Sequence, residues 1–343
     1  MRALVTGGTG FLGSYIARQL AGRGVEVTVT HLRFPPAPVG PLSPSIRVRP
    51  LDVTDRDSVA RLFDVVRPDV VYHFAGQPSV PRSWENPVGT FQAILVGTLN
   101  LLEEIRRTRP KTQFVFAGSG AEYGTPVTIP TPEDDPLQPT SPYASSKVAA
   151  DLLCFQYFIS HEIPVLRLRF FGITGWGKRG DFTNDFASQI AALEIQGAPH
   201  RIRVGNVNKV RDVTDVRDVV RAISVVVEKG EPGEVYNIGT GVPRSVRNTL
   251  NILISAARVK IQVDMDVKKL RPVDAPIQLA DVGRLHRLGW EPQIPYEVTV
   301  RDLLDRWRRH LEHEPPPPKR RATSEVRAPA HMNGPRRPSD PGY

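Results

Sequence analysis

An α/β fold, a doubly wound parallel sheet followed by a smaller, discontinuous C-terminal region, is predicted from three observations. Short β-rich runs alternate with helical patterns through the first half of the chain, the signature of a parallel sheet covered by helices. Several of the runs are almost continuously apolar, as strands buried on both faces require. A glycine-rich turn joins the first run directly to the first helical pattern.

The predicted strands are Ala3–Thr6, Val25–Val29, Ile46–Leu51, Val70–Phe74, Gln113–Ala117 and Val165–Arg169. Between them, Phe11, Leu12, Tyr15, Ile16 and Leu20 repeat at helical spacing, as do Val59, Leu62, Phe63 and Val66, and Leu95, Leu99, Leu102 and Ile105. After Phe171 the chain turns glycine-rich and charged. Val235–Ile238 then reads as one more sheet strand, and Thr214–Arg221 as a helix returning to the first region. The predicted division is 1–171 plus 212–238 for the sheet domain, 172–211 plus 239–312 for the second region, and 313–343 for a tail. From Glu314 onward the chain has eight prolines, few apolar residues and no periodicity, so the tail is expected to be disordered.

Composition narrows the class. The chain has 343 residues, and its 40% hydrophobic and 24% charged content suits a globular body with a large core. No run of about eighteen apolar residues occurs, so no membrane span or membrane partner is expected. The single cysteine, Cys154, is expected in the core of a helix, and a reducing cytoplasm is the predicted compartment. Of the formal net charge of +9, the residues from Pro315 to Tyr343 contribute +4. The rest is spread over the body without a recognition module, which argues against nucleic acid and for an anionic small substrate.

Gly7-Gly8-Thr9-Gly10-Phe11-Leu12-Gly13 lies between the first strand and the first helix. Glycines there permit a tight turn and let backbone N–H groups meet a pyrophosphate at the positive helix end, which is the Rossmann way of holding a dinucleotide. Gly7, Thr9, Gly10, Phe11, Leu12 and Gly13 are therefore candidate cofactor residues, joined by Phe74 and Ala75 after the fourth strand. An acid at the end of the second strand would grip the 2′-OH of NAD(H). Val29-Thr30-His31-Leu32-Arg33 offers none, and Arg33 suits a 2′-phosphate, so NADP(H) is preferred over NAD(H). Asp52, beside Val53, is placed either to accept from the adenine amino group or to cap a short turn.

Ser141-Pro142-Tyr143-Ala144-Ser145-Ser146-Lys147 reads as a capped helix start with Tyr143 and Lys147 one turn apart on one face. A neighbouring ammonium, together with the positively charged nicotinamide of an oxidised cofactor, favours phenolate and is expected to lower the tyrosine pKa, fitting Tyr143 to exchange a proton with a sugar hydroxyl while hydride moves to or from the nicotinamide. Ser119, after the fifth strand, is positioned to hydrogen-bond the reacting oxygen. Ser119, Tyr143 and Lys147 are the candidate catalytic set.

Together these residues resemble the extended short-chain dehydrogenases that modify nucleotide sugars, over about Met1 to Arg309. Within that group the chain is most similar to the GDP-6-deoxy-4-keto-hexose reductases and next to the GDP-mannose 4,6-dehydratases. The stretches Asp181–Phe186, Gly205–Asp218 and Leu270–Asp274 carry this likeness. The resemblance implies a GDP-linked sugar substrate, with Arg211 and Arg271 on its diphosphate and Asn206 and Asp274 near its nucleoside. It also implies a homodimer. Dehydratases of the family carry a glutamate two positions before the tyrosine matching Tyr123, as base for water elimination. Here that position is Ala121, with Glu122 next to it. If this backbone is extended, Glu122 points away from the substrate. Gly172 stands where many relatives have a substrate-contacting asparagine and Ile94 where another is frequent, while Lys178-Arg179-Gly180 is closer to the dehydratase loop. The leading expectation is a 4-keto-sugar reductase. A 4-epimerase, a 4,6-dehydratase and a non-catalytic dinucleotide-binding redox sensor are the alternatives.

Overall fold

The computed structural model describes residues 1–32, 40–196, 199–269 and 275–313. Arg33, Arg271, Asp274 and the tail beyond residue 313 lie outside the described residues.

The chain runs β1 (Arg2–Thr6), α1 (Phe11–Gly22), β2 (Glu26–His31), β3 (Arg47–Pro50), α2 (Arg56–Val66), β4 (Val70–His73), α3 (Val80–Glu85), α4 (Pro87–Phe91), α5 (Gly97–Thr108), β5 (Gln113–Ser119), α6 (Pro142–His161) and β6 (Val165–Phe170). It continues through β7 (Gly172–Thr174), α7 (Phe182–Ile195), β8 (Arg201–Val204), β9 (Val210–Arg211), β10 (Val213–Asp215), α8 (Val216–Lys229) and β11 (Val235–Ile238). The last described elements are β12 (Arg244–Ser245), α9 (Val246–Ser255), β13 (Gln262–Met265), β14 (Ile277–Gln278), α10 (Gly283–Arg287) and α11 (Tyr296–His313).

Seven strands form one sheet in the order β11-β6-β5-β4-β1-β2-β3, all parallel. The order reverses between β1 and β4, and a crevice opens there at the carboxyl ends of the strands, where doubly wound folds take their ligands. Helices cover both faces, as right-handed crossovers between parallel strands demand. On one face α1 and α8 bury Ile16, Ala17, Val219 and Ile223 against β1, β2 and β6. On the other, α2, α5 and α6 bury Phe63, Leu102 and Cys154 against Leu4, Phe114 and Val165. Cys154 is fully buried there, as expected.

Three sequence expectations shift. The Ile46–Leu51 run is no buried strand: β3 is the sheet edge, all four of its residues are exposed, and only the flanking Ile46 and Leu51 enter the core. The helix expected from Thr214 begins at Val216, because Val213–Asp215 pairs with β7 and the Asp215 carboxylate caps α8 by accepting from Arg217 N–H. The Leu95–Ile105 helix is continuous only from Gly97, since Gln92–Val96 forms a π-turn that carries buried Ile94.

Residues 182–313 supply a further core, in which α7, α9 and α11 enclose Phe186, Ile190, Leu250, Leu253, Val300 and Leu303. Short ribbons, β8 with β13 and β12-β9-β14, stand beside it. The Asp212 carboxylate ties this region to the main sheet, accepting from the Thr240 and Gly241 N–H groups just past β11 at 2.8 and 2.9 Å.

Candidate active site

At the end of β1 the chain turns through Gly7 with φ at +65°, a region open to glycine at little strain. A Cβ on Gly13 would lie 2.6 Å from Gly7 O and 2.7 Å from Gly8 Cα, so α1 seats against the turn only because position 13 has no side chain. Gly10 caps α1 with no side-chain hydrogen bond, and no acid occupies the first turn. The helix thus presents its positive end and first-turn N–H groups without a protein side chain to satisfy them. Gly7, Thr9, Gly10, Phe11, Leu12 and Gly13, the residues expected to hold a dinucleotide pyrophosphate, lie along this turn and the first turn of α1. Phe74 and Ala75 sit directly against the Gly7 turn, a Cβ on Gly7 lying 2.8 Å from Ala75 N; their N–H groups donate to Thr6 O at 3.1 Å and Thr6 Oγ1 at 3.3 Å. Asp52 is exposed and accepts from the Thr54 N–H and hydroxyl, the short-turn reading, while Val53 is buried beside Gly97.

Ser141 caps α6, accepting from Ala144 N–H at 3.2 Å, and Pro142 follows at the first helical position. This start points Tyr143 and Lys147 toward the end of β5. The Tyr143 phenol stands close enough to Ser119 for that side chain to lower its pKa. Lys147 Nζ donates to Ala117 O at 2.6 Å and lies 5.1 Å from the Phe116 ring centroid. Ser119 ends β5 rather than following it, and its Oγ also accepts from Ala121 N–H at 3.1 Å. The three candidate catalytic residues therefore meet at one strand end, beside the crevice.

Burial dominates the electrostatics at this strand end. It lifts the Tyr143 phenol to about 12, against a smaller lowering by the Ser119 side chain. Burial acts on Lys147 too and brings its ammonium down to about 8.

Glu122 supplies a correction of geometry. Residues Gly120–Tyr123 form a 3-10 turn, so the alternation of an extended chain does not apply. The Glu122 side chain points inward and is completely buried. Its Oε1 accepts from Ser119 N–H at 2.6 Å and its Oε2 meets Arg169 Nε at 3.1 Å. It is unavailable to a substrate, as expected, but because it is committed to the interior.

Sequence reasoning missed the groups behind the triad. Arg169 bridges Glu122 to Asp151, and Arg167 pairs with Asp151 at 2.6 Å. The available signal was the spacing of Tyr143, Lys147 and Asp151, which repeats every four residues along one face of α6. Lys178 was also unassigned: its Nζ lies 5.4 Å from the centroid of Phe11, the first residue of α1, and burial lowers its pKa.

On the far side of the crevice, Asn206 Oδ1 accepts from Asn208 N–H at 2.9 Å in an exposed turn. Arg211 lies in β9, where its Nη1 donates to Val210 O at 2.8 Å. Gly172 opens β7, and a Cβ there would meet Asp212 O at 2.3 Å, so the asparagine common in relatives does not fit this backbone.

With this geometry in place, the comparisons with known proteins decide the family. The family model described as GDP-mannose 4,6 dehydratase matches residues 4–303. The chain belongs to that family. The GDP-6-deoxy-D-mannose reductase of Pseudomonas aeruginosa is 31% identical over 317 residues, covering 91% of this chain and 99% of the relative. Among solved structures of the family's fold, RMD from Pseudomonas aeruginosa complexed with NADPH superposes with a TM-score of 0.75 at 30% identity, covering 90% of this chain and all of that one. The Thermus thermophilus UDP-glucose 4-epimerase complex with NAD gives 0.77 at 30% identity, covering 90% and 99%. The chain is accordingly an NAD(P)-dependent enzyme of the extended short-chain dehydrogenase type, in a family of epimerases, dehydratases and reductases that modify nucleotide sugars. No helix among the described residues is long and apolar enough to cross a membrane.

Proposed function

We propose that the protein reduces the 4-keto group of a GDP-linked 4-keto-6-deoxy-hexose, with NADPH as the preferred cofactor. The observation that carries this reading is the arrangement at the 3-10 turn. Ala121 has no titratable group, and the neighbouring carboxylate, Glu122, is buried against Arg169. Eliminating water across C5 and C6 needs an acid and a base beyond the set that serves C4, and this turn offers neither to a substrate. Reduction at C4 needs only Ser119, Tyr143 and Lys147. The 31% identity to a GDP-6-deoxy-D-mannose reductase over nearly its whole length supports the same reading.

In this reading the sheet domain holds the cofactor and the second region the nucleotide sugar, with Asn206, Arg211, Arg271 and Asp274 on the substrate. Arginine's forked donors suit the diphosphate. The cofactor supplies a hydride when bound. Ser119 orients the carbonyl oxygen by hydrogen bonding, and Tyr143, which retains its proton, gives it to that oxygen as negative charge develops. The phenolate left behind is stabilised by the Ser119 hydroxyl and the Lys147 ammonium, which returns the proton. The NADPH preference rests on Arg33 and on the lack of an acid at the end of β2.

The test offers two substrates to the purified enzyme. GDP-4-keto-6-deoxy-mannose with NADPH should be consumed to a 6-deoxyhexose product, and GDP-mannose should yield almost no 4-keto product. Dehydration of GDP-mannose at an ordinary enzymatic rate, about 1 s⁻¹ or faster, would overturn the reductase reading.

A further inference from the structure

Glu122, Arg169 and Asp151 close a ring of contacts around the catalytic residues. Tyr143, Lys147 and Asp151 follow one another at four-residue spacing on α6. Asp151 Oδ2 pairs with Arg169 Nε at 3.0 Å, across to β6. The same Nε meets Glu122 Oε2 at 3.1 Å, and Glu122 Oε1 takes the Ser119 N–H at 2.6 Å. Ser119 in turn acts on the neighbouring Tyr143 phenol. Arg169 is itself fixed, donating from Nη1 to Tyr123 Oη at 3.0 Å and to Glu133 O at 2.9 Å. The Glu122 carboxyl also fills the space beside Gly118, where a Cβ would lie 2.7 Å from Oε1.

We propose that Glu122 is a positioning residue for the reaction: anchored by Arg169 and Asp151, it sets the backbone seat of Ser119 and so the alignment of Ser119 with Tyr143. The end of β5 is thereby held from two sides, by Lys147 at Ala117 O and by Glu122 at Ser119 N–H. A displacement of about 1 Å in such a seat is enough to slow a reaction on the order of 100-fold. Glu122 touches no substrate and acts only through Ser119. Burial, and then the Asp151 carboxylate beside it, push its carboxyl well above the ordinary carboxylate range. Glutamine keeps one oxygen for the Ser119 N–H and loses the acceptor that Glu122 offers Arg169 Nε.

The proposal rests on the reductase reading for its kinetic test and stands apart from it for its structural one. In the reduction of GDP-4-keto-6-deoxy-mannose, E122L should lower kcat at least about 10-fold. KM and the Kd of NADPH should stay within about threefold of wild type, and E122Q, which keeps an oxygen for the Ser119 N–H, should retain clearly more kcat than E122L. Full kcat in E122L, or a loss shared equally by kcat and NADPH binding, overturns the positioning role. Should E122L not fold, D151N strikes the same ring from its other end and should show the same selective loss of kcat; unchanged kcat there also overturns it. Hydrogen exchange without substrate separates the two proposals. The 118–124 segment should exchange at least about tenfold faster in E122L while the rest of β5 is unchanged. Unchanged exchange overturns the positioning role whatever the substrate is, whereas a wild-type enzyme inactive on the keto sugar overturns only the reductase reading.

Discussion

Lys147 is charged at a cost that the rest of the fold must offset. Burial brings its folded pKa from 10.5 to about 8. A base whose folded pKa is depressed is penalised in full below about 8, and the penalty fades as pH rises toward its unfolded value. Stability from this group therefore increases with pH between those limits. Lys147→Met should abolish turnover yet raise the melting temperature at pH 7 by roughly 2–6 °C, and that gain should shrink by pH 10. A melting temperature that falls at pH 7 would show that the bond to Ala117 O outweighs the desolvation. Tyr143→Phe removes the proton donor and leaves the ring packed; turnover should fall roughly 100-fold or more with the NADPH Kd unchanged, and activity near wild type would exclude Tyr143 as the acid. Arg33→Ala should weaken NADPH in calorimetry and leave NADH untouched; equal affinities in the unaltered protein would remove the basis of that choice. At this scale the triad was legible because its chemistry fixes residue types at short spacings. The burial that lifts the Tyr143 phenol was not, since it depends on β4, β5 and the helices that enclose α6, all remote in sequence. Glu122 was legible as a residue and misjudged as geometry: the inference assumed an extended chain, and a capping box between Ser119 and Glu122 makes a turn instead.

Among the elements, the strand-to-helix turn at the start of α1 carries the most information per residue. Each glycine in it answers a particular contact, and Gly13 sits where the helix backbone meets the turn. Gly13→Ala would drive a methyl group to within 2.6 Å of Gly7 O, and the backbone cannot yield without displacing the whole first turn. Thermal unfolding should show a loss of roughly 1–3 kcal/mol, the usual cost of overpacking, and NADPH affinity should fall with it. Unchanged affinity would place the pyrophosphate elsewhere. The sheet strands were readable where both faces are covered, because β1, β4 and β6 are rich in buried apolar residues, Arg167 and Arg169 of β6 apart. β3 failed that rule: Arg47 and Arg49 line an edge strand, and an edge position follows from topology rather than composition. The short ribbons of β9, β12 and β14 carry two residues each and leave almost no pattern to read. The π-turn before α5 likewise has no compositional mark.

At the scale of the whole molecule, the outer face of α6 remains to be explained. The helix buries Ala150, Cys154 and Tyr157 on its inner side. Its outer side exposes Leu152 at 53%, Phe155 at 41% and Ile159 at 62%. These lie at i, i+3 and i+7, one continuous stripe along the helix. Single exposed apolar residues are ordinary on a protein surface, but an aligned set invites cover by another surface. Val96, 38% exposed, ends the π-turn before α5, which also packs against α6. The homodimer expected from the sequence would find here a face that a two-fold axis makes self-complementary. The same helix carries Tyr143 and Lys147 at its start, so pairing would stiffen the element that presents them. Light scattering coupled to size exclusion should give about twice the 38.1 kDa chain mass. Leu152→Glu with Ile159→Glu should halve it, because four carboxylates would be forced together across the axis. The paired substitution should lower the melting temperature as well, since association stabilises the folded chain by mass action. A monomer in the unaltered protein, or a dimer that survives both glutamates, would move the interface away from α6 and leave the stripe without a partner.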